Sequence, residues 1–280
     1  MSRIRTGWRL ARASWRVLKD DRSLAVFPVV SIASAAIALL AVVALGAAIA
    51  EAVGFDWVVL PFLAAGGYLA TFLVVYFNVA LAGAARKSID GRDTTLADGL
   101  AVARQRRGVI AKWALLQFGI GVIISVLGSL LSDGSGDEPA GNVLTSVAGA
   151  AWSLASFFVI PLLALEGLGP SAALHRSVGL VREQWAEATV GRTGISLVVF
   201  LVAVLPVAGA FSAADELSAT DAALGGVAWG VALLGLVIAL AVGSALGVIF
   251  RVELYRYVTG GELTGNFARR DLDAVFGRKA

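Results

Sequence analysis

The chain contains no cysteine and only one histidine, and 15% of its residues are charged. Without cysteine there is no disulfide, no thiolate metal site and no cysteine nucleophile. A single histidine excludes a multi-histidine metal centre. No GxxxxGK[ST] loop is present, so ATP is not bound in that manner. A serine nucleophile would have only His175 to activate it. The expectation is therefore a protein that is not an enzyme, with no metal and no other cofactor.

What is present is apolar. Of 280 residues, 58% are hydrophobic, and the mean hydropathy is +0.83. Uncharged runs cover 24–50, 57–85, 113–131, 143–165, 193–214 and 222–250. Each is close to or beyond the ~20 residues that a helix needs to cross ~30 Å of hydrocarbon. They lack the alternation of barrel strands, and backbone groups in lipid must be satisfied internally, so they read as helices. The expected fold class is all-α: a polytopic membrane protein, one integral domain over 1–280 with six transmembrane helices. Pro28, Pro61, Pro161 and Pro206 fall inside these runs and predict kinks. The first run is too long, and starts too late, for a cleavable signal peptide.

Charge placement orients the chain. With six spans, the regions 1–22, 86–112, 166–192 and 251–280 share one side, and they hold all 23 lysines and arginines. The opposite loops hold Glu51, Asp56, Asp133, Asp137, Glu138, Asp215, Glu216 and Asp221 and no base. Positive charge stays inside, so both termini are expected in the cytoplasm, in a cytoplasmic (inner) membrane. A basic girdle facing anionic headgroups accounts for the pI of about 9.5. No element for stacking bases or reading a groove accompanies it, so no nucleic-acid partner is expected.

Three stretches are alike: "YFNVAL" (76–81), "FFVIPL" (157–162) and "IFRVEL" (249–254). Each is followed by a glycine-containing turn and a segment patterned as an amphipathic surface helix. In the central one, Leu174, Val178, Val181 and Trp185 are spaced for one helix face. At the N-terminus, Arg5, Arg9, Arg12, Arg16 and Lys19 form a basic stripe, and Trp8, Ala11, Trp15 and Leu18 an apolar one. The layout is three hairpin repeats with cytoplasmic amphipathic helices, the last over 263–277.

Three groups of residues are candidates for function. The N-terminal basic stripe, with Arg104, Arg106 and Arg107, is suited to anionic lipid or a partner. Glu166, Gly169, Pro170, His175 and Arg176 mark the turn after the fourth span. There Pro170 would open the next helix, Gly169 would permit the turn, and Glu166 would face the new amides or an arginine such as Arg176. Gly226, Gly230, Gly235, Ala239, Gly243 and Gly247 form a ridge of small residues that lets another helix approach, in the same chain or in a second copy. The six span interiors carry no ionisable residue, which argues against a proton relay.

The stretches "YFNVAL…DGLAVARQRRGVIAKWALL", "AWSLASFFVIPLLALEGLGPSAALHRSVGLVREQW" and "LYRYVTGGE" together resemble a family of uncharacterised six-span bacterial and archaeal membrane proteins, classed as a domain of unknown function. More distantly, the layout is similar to the membrane domain of some glycerophosphodiester phosphodiesterases. The resemblance implies fold and topology but no reaction or ligand. The expected role is a membrane scaffold or accessory subunit contacting anionic lipid, with a cytosolic protein partner or a homo-oligomer as the further associations. The alternative is a channel or transporter for a small solute or lipid.

Overall fold

The computed structural model describes residues 12–134, 138–185 and 205–260. Every regular element among them is helical, and no strand occurs. A helix over 12–20 (α1) is followed by α2 (Val26–Val53), α3 (Val59–Ile89), α4 (Leu96–Gln105), α5 (Arg107–Gly134) and α6 (Glu138–Ala155). After a break come α7 (Pro170–Trp185), α8 (Leu205–Thr220) and α9 (Ala222–Val258).

Five helical stretches are long and apolar enough to cross a membrane: Ser23–Val53, Asp56–Ile89, Arg107–Leu130, Thr145–Glu166 and Ala223–Val258. Their outer surfaces fit lipid as solvent. Ile37 and Leu40 on α2, Leu130 on α5 and Val227 and Val231 on α9 are all exposed by more than 60%, a density of bare apolar side chains that water would penalise. Of the expected fifth run, 193–204 lies outside the described residues, and the remainder belongs to α8. The expected surface helix at 263–277 lies outside them too.

Two compact units divide the chain. One comprises Met1–Ile32, Ala84–Leu96 and Gln184–Ala280. In it the 3₁₀ turn Arg22–Ala25 packs on α9, and α8 and α9 form a hairpin. Phe211 and Trp229 meet edge to face across that hairpin. Asp221 starts α9, its carboxylate accepting from the Ala223 and Leu224 amides. The close contact of α8 with α9 is at Gly225, where a Cβ would run into Ser218.

The other unit comprises Ala33–Gly83 and Ala97–Glu183. Here α5 and α6 pair closely, with Trp113 and Trp152 stacked at 5.6 Å between ring centroids. Farther along, Gly128 gives way to the Thr145 methyl. Gly67 admits the Phe118 ring, Gly46 the Phe62 side chain, and Gly83 the Val102 side chain of α4. Without Cβ atoms at these positions the helices approach further than larger residues permit.

The prolines behave differently from one another. Pro28 and Pro61 each stand third in an α-helix that follows directly from a 3₁₀ turn. There the missing N–H is one that a helix start leaves unpaired in any case, so these are beginnings of helices and not interior kinks. Pro161 does break its helix. The chain turns at 156–158, makes one short helical turn at Val159–Pro161, and widens to a π-turn over Leu162–Glu166. Pro206 is the second residue of the described part of α8.

The three similar hexapeptides are among the most enclosed stretches of the chain. Val79, Ala80 and Leu81, then Ile160, Pro161 and Leu162, then Val252, Glu253 and Leu254 are all buried. After each, the backbone reverses at a glycine with positive φ: Gly91 (71°), Gly167 (68°) and Gly260 (78°). Only glycine takes this left-handed conformation without strain, which is why helices so often stop there.

Candidate functional site

A charged cluster forms in the first unit, where the ends of α3 and α9 meet. Helix α3 ends in a double reversal, with Gly91 N–H donating to Ser88 O and Arg92 N–H to Lys87 O. This is the six-to-one and five-to-two pattern of a Schellman stop with glycine at its left-handed position. The stop folds Arg92 back on the helix end and leaves Asp90 at its centre. The Asp90 carboxylate accepts from Arg86 Nε at 3.1 Å, from Arg92 Nη2 at 3.3 Å and from Arg256 Nη2 at 3.1 Å. Arg256, on the last turn of α9, also faces the fully buried Glu253 at 3.9 Å. Arginines suit these two helix ends, where unpaired carbonyls carry partial negative charge.

Next in sequence to this cluster, Thr94 donates its hydroxyl to Asp21, which also caps the 3₁₀ turn by accepting from the Ser23 amide and hydroxyl. The apolar run of the last span ends at 250, but its helix continues unbroken to Val258. It carries Glu253 into the packed interior and holds Arg251 half-buried. The signal was available, because the third hexapeptide alone carries an acid and a base, where the others have Asn78 and Ala80 or Val159 and Pro161.

The second unit holds the turn around Glu166. At the break at 156–158 the Phe158 amide donates to Ser177 Oγ on α7 at 3.1 Å, both groups being buried. Pro161 has no N–H for the carbonyl of Phe157, so the helical ladder is interrupted where α7 crosses. The π-turn closes with Gly167 N–H donating to Leu162 O at 3.0 Å. It is Gly167, not Gly169, that takes the positive φ required by the reversal. The Arg106 guanidinium, at the turn between α4 and α5, packs where a Cβ of Gly167 would lie. Pro170 opens α7 as expected, with Gly169 O accepting the first amide bond, from Ala173. Glu166, His175 and Arg176 are exposed.

On α7 the tightly buried line is Ala173, Ser177 and Leu180, while Leu174, Val178 and Val181 are half-buried beside it. These last three, expected to face inward, thus flank the buried line. On α1, Arg12, Arg16 and Lys19 are exposed, opposite buried Ala13, Ser14, Val17 and Leu18. Trp15, expected on the apolar face with Leu18, is 48% exposed. Arg5 and Arg9, with Trp8 and Ala11, lie outside the described residues. Arg104 and Arg107 are exposed, and Arg106 is half-buried.

Along α9, no described atom lies within 4 Å of where a Cβ would sit on Gly226, Gly230, Gly235, Gly243 or Gly247. Ala239 is half-buried. Among the described residues no group of three or more His, Asp or Glu side chains is placed to hold a metal ion.

The family model that matches the chain covers residues 53–266 and is described as a family of unknown function, DUF6159. It spans all three hexapeptides and both sites. No curated protein and no solved structure matches, so the more distant likeness to the glycerophosphodiester phosphodiesterase membrane domain gains no support.

Proposed function

We propose that this chain, which belongs to the DUF6159 family of unknown function, is a membrane-embedded scaffold or accessory subunit whose basic end holds anionic headgroups or a cytosolic partner. The observation that carries this reading is the charge partition: all 23 basic residues fall on one side of a six-span topology. On that topology both termini are cytoplasmic, and the three hexapeptides end three related hairpins. Helix α1 supports the reading locally. Its cations Arg12, Arg16 and Lys19 are exposed, while Ala13, Val17 and Leu18 are covered by the protein itself, so the face left open to headgroups is the basic one.

The test is the triple variant Arg12→Gln/Arg16→Gln/Lys19→Gln. At about 1 kcal/mol per cation, its retention of anionic lipid should fall by roughly two orders of magnitude. Native mass spectrometry after gentle release reads both lipid and any protein subunit. Unchanged retention of both would overturn the reading.

One observation favours transport instead. A helix interrupted at 156–166 by a proline, a turn and a π-turn resembles the discontinuous helices around which transporters build their sites. Flux or lipid scrambling in proteoliposomes, abolished by Pro161→Ala, would support that second reading.

A further inference from the structure

We propose that the arginines gathered on Asp90 form a binding site for a phosphate group, either a lipid headgroup phosphate or a soluble one. The inference deepens the anionic-lipid reading above, but places the ligand on residues other than those of α1.

Arg86, Arg92 and Arg256 all reach one carboxylate. Among these five described groups, with Glu253 beside Arg256, three cations face two anions, an excess of one positive charge. The donors are far from used up. Arg86 donates only through Nε and Arg92 only through Nη2, so their remaining guanidinium N–H groups have no partner among the described residues. Among the described residues Arg256 Nη1 is buried without a hydrogen bond, its nearest acid being Glu253 Oε2 at 3.9 Å. A buried donor without an acceptor calls for an explanation such as a bound ion or water.

Exposure divides the three arginines. Arg256 is 11% exposed and pinned between Asp90 and Glu253, whereas Arg86 and Arg92 are 42% and 65% exposed. Asp90 thus acts as a hub that brings two accessible forks beside an anchored one. The Schellman stop fixes Arg92 at short range in sequence, so little ordering remains on binding. Tetrahedral phosphate oxygens accept from guanidinium forks in pairs, and a phosphate would supply the missing negative charge. A simple carboxylate partner is already present in Asp90, and it leaves these donors unfilled.

The experiment titrates the detergent-purified full chain with short-chain phosphatidic acid, inorganic phosphate and a short-chain diacylglycerol lacking phosphate, reading the melting temperature. We expect a rise with a phosphate-bearing probe and none with diacylglycerol. A rise with phosphatidic acid alone assigns a headgroup, and a rise with inorganic phosphate assigns a soluble ligand. Arg92→Gln should weaken the responding probe about tenfold, the loss of one charge-assisted hydrogen bond. Arg86→Gln, at the second accessible fork, should do the same. No rise with either phosphate probe, or equal responses in wild type and both variants, would overturn the site. The α1 triple variant separates the two ideas. It should keep the phosphate response while losing bulk anionic lipid. Loss of the response in Arg92→Gln and Arg86→Gln, with lipid retention untouched by the α1 changes, would defeat the broader reading and leave the site standing.

Discussion

At Gly167 two demands fall on one residue. The helix must reverse, which needs a positive φ, and the Arg106 guanidinium occupies the space a side chain would take. Gly167→Ala should therefore cost more than the ~1–2 kcal/mol of a left-handed alanine alone. Adding Arg106→Ala should recover part of that loss, a coupling that thermal unfolding in detergent would read as non-additivity. Ser177 gives a second test. Ser177→Ala leaves the buried Phe158 amide without its acceptor and should destabilise by about 1–3 kcal/mol. An exposed change such as Ser171→Ala should be near neutral. Neither role was legible beforehand. Gly169 and Gly167 flank one leucine, and composition cannot say which of two glycines takes the reversal. The bond from Phe158 to Ser177 spans 19 residues and follows from packing, which local spacing does not encode.

Among the elements, the long apolar helices were legible because hydrocarbon thickness imposes a length that uncharged apolar runs reveal. Their detailed starts were not. A proline inside an apolar run reads as a kink, yet Pro28 and Pro61 sit where 3₁₀ turns pass into α-helix. Within the described residues Pro161 interrupts its helix, and the interruption matters because Ser177 of α7 bonds to the backbone there. The α5–α6 pair offers the clearest element-scale prediction. Trp113 is 1% exposed and stacked on Trp152, so Trp113→Ala should destabilise by about 3–5 kcal/mol, as deletion of a large core ring does. Gly128→Val, driven against Thr145, should cost about 1–3 kcal/mol through overpacking. By contrast Gly230→Ala on α9 should change little, since none of the described residues lies within 4 Å of the added Cβ. Melting curves of the three variants in one detergent would rank them.

For the molecule as a whole, the charge partition was the strongest signal in the sequence, and the absence of native cysteine makes it directly testable. Single cysteines at Lys19 and at Ser218 should react with a membrane-impermeant maleimide from opposite sides of intact cells. Lys19→Cys should be labelled only after the membrane is opened, and Ser218→Cys without opening it. The Asp90 cluster was not legible at this scale. Its members come from sequence positions 86–92 and 253–256, and only the convergence of two helix ends shows that they belong together. Glu253 was also hidden, lying just past the apolar run as though at the surface.

The unbroken course of α9 has a further consequence. At 1.5 Å per residue its apolar run, 222–250, extends ~43 Å, against ~30 Å of hydrocarbon. An ordinary tilt of ~20° removes only a few ångströms of that excess. The helix is thus mismatched to an average bilayer, and thickness becomes a variable that sets the depth of Arg256. In thicker membranes the arginines would lie nearer the phosphate layer. In thinner ones they would stand out in water, so the lipid around this protein would itself tune how well the cluster is occupied.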